Sequence, residues 1–317
     1  MKILIELPTW IGDCVMSTPS IENITRIYPH AKVFIVGTKS SVDLFKEHPR
    51  IAKSFIYRKN YLSLIKLFIS IGKVDLFFSF RSSLRTRLIK VFIRSGKSFQ
   101  FNRVKYSAGH QVEKYNNFIN NSCNSSLDPG MLKLYFEFPE KKNSKRPILG
   151  INPGASYGES KCWPAEKFVE VIRNVCTKFD VIIFGGDDQV NLVNLIEGAA
   201  KKNGVFNIEN LAGKTSIYQL CEKINSLSIF LTGDSGPMHI ASAYQIPTIC
   251  IFGPTKHLET NQWKNIYSKI IKTNLDCQPC MKRICPLKHH KCMRDIDSKN
   301  VINEIFSLQT LSQSNDK

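Results

Sequence analysis

Three short segments carry the residue types that move protons or hold phosphates. In TWIGDCVM (9–16), Asp13 follows a first apolar run and falls in the first turn of a helical pattern. A carboxylate there is favoured by the helix macrodipole, and at a strand end it is equally placed to take a proton from a hydroxyl substrate. Gly12 beside it allows a substrate close approach to the backbone. The segment NPGASYGESKCWP (152–164) joins small residues and hydroxyls, Ser156 among them, to Lys161. Such a loop presents backbone N–H groups and one cation to a phosphate. In TGDSGPMHIASA (232–243), Asp234, Ser235 and Gly236 form a turn into a helix, and His239 lies about one turn further on. The helix N-terminus makes that turn an anion site, whereas a lone helical histidine is more often structural. Two loops that hold a nucleotide diphosphate, and a carboxylate that deprotonates an incoming hydroxyl, are what transfer of an activated sugar requires. Neither GxxxxGK[ST] nor GxGxxG occurs, which argues against a P-loop nucleotidase and a nicotinamide dehydrogenase.

A fourth segment, CQPCMKRICPLKHHKC (277–292), places Cys277, Cys280, Cys285 and Cys292 within 16 residues, with His289 and His290 between them. CxxC followed by further Cys and His is a zinc-ligand pattern, and its expected role is a structural zinc, the chemistry itself needing no cofactor. Ten cysteines in a chain of 317 residues read as reduced thiols or ligands in a cytoplasmic protein.

Charge is unevenly spread. Residues 1–147 hold 25 Lys and Arg against 10 Asp and Glu, out of totals of 44 and 26. Segment 51–105 has 13 cations, Arg81, Arg85 and Arg87 among them, and a single acidic residue, Asp75. That imbalance points to a polyanionic partner: an acidic glycolipid, an anionic membrane face or nucleic acid. No long uninterrupted apolar stretch is present, and Glu6, Pro8 and Asp13 fall too early for a secretory apolar region, so the expected location is cytoplasmic.

The elements that must position these residues alternate. KILIEL (2–7) is followed by a helical pattern from about Ile11 to Ile27, AKVFIVG (31–37) by one near 40–47, and VDLFFSF (74–80) by one near 83–94. After the polar, proline-bracketed PEKKNSKRP (139–147) the alternation restarts with ILGINPG (148–154), a helix near 164–178, DVIIFGG (180–186), a helix near 188–202, SIFLTGD (228–234), a helix near 236–244 and PTICIFGP (247–254). A final helical pattern spans 297–312, and the tail SQSNDK is expected to fray. This predicts an α/β protein of two Rossmann-like doubly wound domains, 1–146 and 147–317, facing each other across a cleft with ligands at the carboxyl ends of the strands.

WIGDCVMSTPSIENI (10–24), NPGASYGESKCWPAEKF (152–168), NLAGKTS (210–216), TGDSGPMHIASA (232–243) and FGPT (252–255) resemble, in this order, the ADP-heptose:lipopolysaccharide heptosyltransferases of glycosyltransferase family 9, and among them most resemble heptosyltransferase II. The resemblance implies a GT-B fold. It further implies an ADP-heptose donor held by the C-terminal domain, a Kdo-lipid A-type inner-core acceptor held by the N-terminal domain, and direct displacement with inversion. It makes Asp13 the general base, Lys161 a diphosphate ligand, and Asp234 to His239 the turn around the donor's phosphate and sugar. Asp187 and Asp188, after DVIIFGG, take the place of an adenosine-ribose carboxylate. The basic N-terminal segment then docks the acceptor, with peripheral contact at the inner membrane face and no nucleic acid expected. Two alternatives stay open: a related glycosyltransferase with another nucleotide sugar or acceptor, and a nucleic-acid-binding protein that uses the basic half.

Overall fold

The computed structural model describes residues 1–57, 61–83, 92–139 and 146–315. The chain forms two compact units, Met1–Glu137 and Phe138–Lys317. The expected boundary at 146/147 rested on the proline-bracketed linker, of which residues 140–145 lie outside the described set.

In the first unit five parallel strands, β1 (Lys2–Glu6), β2 (Lys32–Gly37), β3 (Ile51–Ile56), β4 (Val74–Ser79) and β5 (Ser95–Gln100), lie in the order β3-β2-β1-β4-β5. The helices Thr18–Ile27, Tyr61–Ile71 and Gln111–Cys123 belong to the same unit. Leu4, Val36, Phe68, Val74 and Phe77 pack into one core on the central strands. Strands covered on both faces read as near-continuous apolar runs, which is why β1 and β4 are so apolar.

The single helix expected from Ile11 to Ile27 is two, Ile11–Met16 and Thr18–Ile27. Pro19 has no N–H for the Val15 carbonyl, and its ring would press on that carbonyl, so it starts a new helix instead. The Thr18 hydroxyl donates to the Val15 carbonyl at 2.8 Å, and the Ser17 hydroxyl donates to that of Cys14 at 2.7 Å. Of the helix expected near 83–94, residues 84–91 lie outside the described set.

The second unit has six parallel strands, β6 (Ile148–Asn152), β7 (Asp180–Ile183), β8 (Ile208–Asn210), β9 (Ile229–Gly233), β10 (Thr248–Phe252) and β11 (Ser268–Lys272), in the order β11-β10-β9-β6-β7-β8. The helix Ala165–Val175 turns Phe168, Val171, Ile172 and Val175 onto the sheet. The helix Ser298–Asn315 buries Val301, Ile305 and Leu308 in the same core, and it runs beyond the point where fraying was expected. No described helix is long and apolar enough to cross a membrane.

Strand order reverses direction between β1 and β4 in the first sheet, and between β6 and β9 in the second. At such a switch point the loops leaving two adjacent strands diverge and open a crevice beyond their carboxyl ends. Asp13 and Arg81 follow β1 and β4, while Lys161 and Asp234 follow β6 and β9.

Candidate active site

In the first unit the turn after β1 is pinned through one carbonyl. Pro8 O accepts the Cys14 thiol at 3.0 Å and the Ser41 hydroxyl at 2.7 Å. This sets the start of helix Ile11–Met16, whose N-cap residue Trp10 offers no side-chain cap, with Gly12 and Asp13 in its first turn. Two buried groups register the carboxylate. Burial pushes the Tyr115 hydroxyl well up and the Asp13 charge pushes it further. Burial dominates at the Cys14 thiol, also raised, where the Ser41 hydroxyl, Asp13 and Arg81 make smaller contributions. Asp13 and Arg81 therefore bear on the same buried thiol from the ends of neighbouring strands.

Arg81 is fixed by a residue to which the sequence reading gave no role in a site. Glu6, the last residue of β1, is fully buried and pairs across the sheet with Ser79, whose hydroxyl donates to it at 2.6 Å. Arg81 Nη1 stands 3.7 Å from Glu6 Oε1 and also donates to the Tyr57 hydroxyl. A buried carboxylate needs hydrogen bonds and an opposite charge nearby, and Ser79 and Arg81 supply them. The available signal was a carboxylate interrupting the apolar run KILIEL. Arg85 and Arg87 lie outside the described residues.

In the second unit the loops after β6 and β9 meet. Lys161 ends a short 3-10 turn, Glu159–Lys161, and its ammonium donates to Asp234 Oδ2 at 2.6 Å and to Asp234 O at 3.1 Å. The Thr255 hydroxyl donates to the same carboxylate oxygen at 2.7 Å. Two of the three N–H donors of the ammonium are used here, and the ammonium also stands 4.6 Å from the centre of the Tyr157 ring. Asp234 was read as part of the donor-holding turn; here its carboxylate is engaged with a cation and a hydroxyl rather than presented bare to an anion. Thr255 lies in the FGPT segment, which carried the family resemblance but no assigned role.

Helix Gly236–Ala243 begins at this point. Its N-cap Ser235 does not turn its hydroxyl back to cap the helix but shares it with Thr232 Oγ1 at 2.9 Å and Asn152 Nδ2 at 3.3 Å. The first-turn N–H groups have no intrahelical acceptor and the helix dipole is positive there, so with Lys161 adjacent the corner suits a phosphate. His239 is buried within the helix, 3% exposed, and Ser156 is exposed on the loop after β6. Asp187 and Asp188 are exposed in the turn Asp187–Gln189 after β7. That turn lies against the β6 loop: a Cβ on Gly154 would sit 2.5 Å from Cδ of the Gln189 side chain.

Cys277, Cys280, Cys285 and Cys292 line one cavity of about 20 Å³ together with His289 and His290. Among the described residues, no group of three or more His, Cys, Asp or Glu side chains is arranged to hold a metal ion.

Residues 95–291 match the model of Glycosyltransferase family 9 (heptosyltransferase), more than half of the chain. The chain is 40% identical to lipooligosaccharide heptosyltransferase 2 of Campylobacter jejuni subsp. jejuni serotype O:6, over 98% of this chain and 100% of that one. It is 22% identical to lipopolysaccharide heptosyltransferase 2 of Escherichia coli K12, over 97% and 98%. Among solved structures, it superposes on E. coli ADP-heptose lps heptosyltransferase II with a TM-score of 0.80 at 20% identity, covering 99% of this chain and 100% of that one. It superposes on the family 9 glycosyl transferase of Veillonella parvula with a TM-score of 0.85 at 19% identity, covering 97% and 96%. With the family model matched over more than half its length and 40% identity over the whole of a relative, the chain belongs to glycosyltransferase family 9, the heptosyltransferases, on a GT-B fold of two parallel-sheet α/β units.

Proposed function

We propose that the chain moves L-glycero-D-manno-heptose from ADP-heptose to the first heptose of a lipopolysaccharide inner core, inverting the anomeric centre. The observation that carries a diphosphate donor is the Lys161–Asp234 pair at the second sheet's switch point, beside the N-terminus of helix Gly236–Ala243. The sugar and the acceptor rest on the likeness to the Campylobacter relative.

The acceptor hydroxyl oxygen bonds to the anomeric carbon as the bond from that carbon to the diphosphate oxygen breaks. The hydroxyl proton passes to the Asp13 carboxylate, and ADP departs with the bonding electron pair. Negative charge grows on the diphosphate during this step, where Lys161 and the helix N-terminus stabilise it more than they stabilise the ground state. Asp234 holds the Lys161 ammonium in place, so its own charge is balanced when an anion arrives. A base and phosphate ligands suffice, and no cofactor is needed for the chemistry.

Arg81 and the basic stretch 51–105 meet the phosphates and carboxylates of a Kdo-lipid A-type acceptor. The same cations favour peripheral contact with an anionic inner membrane face from the cytoplasmic side. The deciding experiment is transfer from ADP-heptose to a defined heptosyl-Kdo-lipid A, followed by product mass and anomeric configuration. Addition of one heptose with inversion is expected. No transfer from ADP-heptose, alongside transfer from another nucleotide sugar or thermal stabilisation by single-stranded nucleic acid but not by ADP, would overturn the assignment.

A further inference from the structure

The cysteine-containing loop between β11 and helix Lys291–Arg294 performs none of this chemistry, yet it is bonded to both turns that make the phosphate corner. Toward the turn after β6, the Tyr157 hydroxyl donates to Met281 O at 2.8 Å, Ser160 N–H to Arg283 O at 3.1 Å and the Ser160 hydroxyl to Lys282 O at 2.6 Å. His290 Nε2 lies 2.9 Å from Ser160 O. A carbonyl only accepts, so Nε2 carries the proton in this contact. Ser160, immediately before Lys161, is 2% exposed. The two chains run so close that a Cβ on Gly158 would sit 2.6 Å from Arg283 O, and Gly158 has a φ of +149°.

The same loop also reaches the turn after β10. Met281 N–H donates to Pro254 O at 2.9 Å and Gln278 Nε2 to Gly253 O at 2.8 Å. These residues lead directly into Thr255, whose hydroxyl is held by the Asp234 carboxylate. One loop thus ties the backbone beneath Lys161 to the backbone beneath the partner of Asp234.

We infer that residues 278–290 act as a staple that fixes the Lys161 turn against the Gly253–Thr255 turn, with Ser160 and His290 as positioning residues for the Lys161 ammonium. A lysine on a mobile loop would lose backbone and rotamer freedom each time it met a diphosphate. A loop already tied down avoids that loss and binds more tightly for the same contacts. The inference rests on Lys161 being a diphosphate ligand.

The test measures ADP affinity by calorimetry, donor KM and kcat, and melting temperature for Ser160→Ala, His290→Ala, His290→Gln and Lys161→Ala in the full chain. Ser160→Ala and His290→Ala should each weaken ADP binding about five- to tenfold, the scale of one lost buried hydrogen bond, and raise donor KM more than they lower kcat. His290→Gln, whose amide N–H can replace the imidazole donor, should recover most of the affinity. If Lys161→Ala weakens ADP binding while folded Ser160→Ala and His290→Ala stay within twofold of the unsubstituted protein, the staple is wrong and the diphosphate reading stands. If Lys161→Ala itself leaves ADP binding unchanged, the diphosphate reading fails and takes the staple with it. Should Ser160→Ala fail to fold, the His290 pair together with Tyr157→Phe, which deletes one hydroxyl, decides by the same criteria.

Discussion

Removing one or both charges of the Lys161–Asp234 pair should separate stability from turnover. The two groups are 2.6 Å apart with side chains only 11% and 9% exposed, so water screens them far less than it would a surface pair. Lys161→Ala leaves the Asp234 carboxylate in a nearly dry site with the Thr255 hydroxyl as its closest remaining side-chain donor. Breaking a buried pair from one side costs about 3–5 kcal/mol. At about 2–4 °C per kcal/mol for a domain of this size, the melting temperature should fall by roughly 6–20 °C. The chemical loss is separate: deleting a group that stabilises developing negative charge lowers kcat by about 10²- to 10³-fold. Lys161→Met combined with Asp234→Asn removes both charges, so the buried carboxylate no longer penalises folding and stability should return to within about 1 kcal/mol. Turnover should stay low, because no cation remains beside the leaving group. Melting curves and single-turnover kinetics with ADP-heptose on the same preparations read both effects. A double variant with turnover within about twofold of the unsubstituted enzyme, under 0.5 kcal/mol of barrier, would refute the role of Lys161. A Lys161→Ala melting point within about 2 °C of the unsubstituted value would refute the energetics of the pair.

Asp13→Asn keeps shape and removes basicity, so it should fold, bind ADP nearly normally and lose at least about 100-fold in kcat. A loss of only about 0.3–1 kcal/mol in stability with turnover intact would mark Asp13 as a helix-dipole partner instead. Arg81→Ala should raise acceptor KM about tenfold, leave ADP affinity unchanged and lower the melting temperature through Glu6; an unchanged acceptor KM at both low and moderate salt would count against acceptor docking. Burial works to raise the Glu22 pKa, but hydrogen bonds from His48 and Tyr135 outweigh it and leave the pKa lowered. The stability this provides is full above the ordinary carboxylate range and is lost as pH falls through the lowered value, so Glu22→Gln should cost about 1 kcal/mol at pH 7 and about nothing near pH 2. For the cysteine loop, metal analysis of protein purified under reducing conditions tests the structural zinc that the CxxC spacing suggests: about one equivalent would support it, and less than about 0.2 equivalents of any transition metal would remove that reading.

The sequence by itself determined the two series of strand and helix and put Asp13, Lys161 and Asp234 just beyond strand ends. Those signals are local. A strand buried on both faces must be an apolar run, and the turn leaving it is marked by glycine, proline and small polar residues. The outer strands β3, β5, β8 and β11 escaped notice because IAKSFI, SGKSFQ, IEN and SKIIK are partly exposed and mix polar with apolar residues, so no run forms. The helix from Ile11 was read as unbroken because its apolar spacing continues across Pro19, where the backbone cannot.

The tertiary structure alone decided which loops meet. Lys161 and Asp234 are 73 residues apart and touch only because β6 and β9 are neighbours at the reversal of strand order, a property of the whole sheet. The same holds for Glu6 and Arg81, brought together by the pairing of β1 with β4. The ties from Tyr157 and Ser160 to the cysteine loop could not be read from residue types at all. Their acceptors are the carbonyls of Met281, Lys282 and Arg283, and every residue carries a carbonyl, so only the folded path of the backbone shows which ones are used.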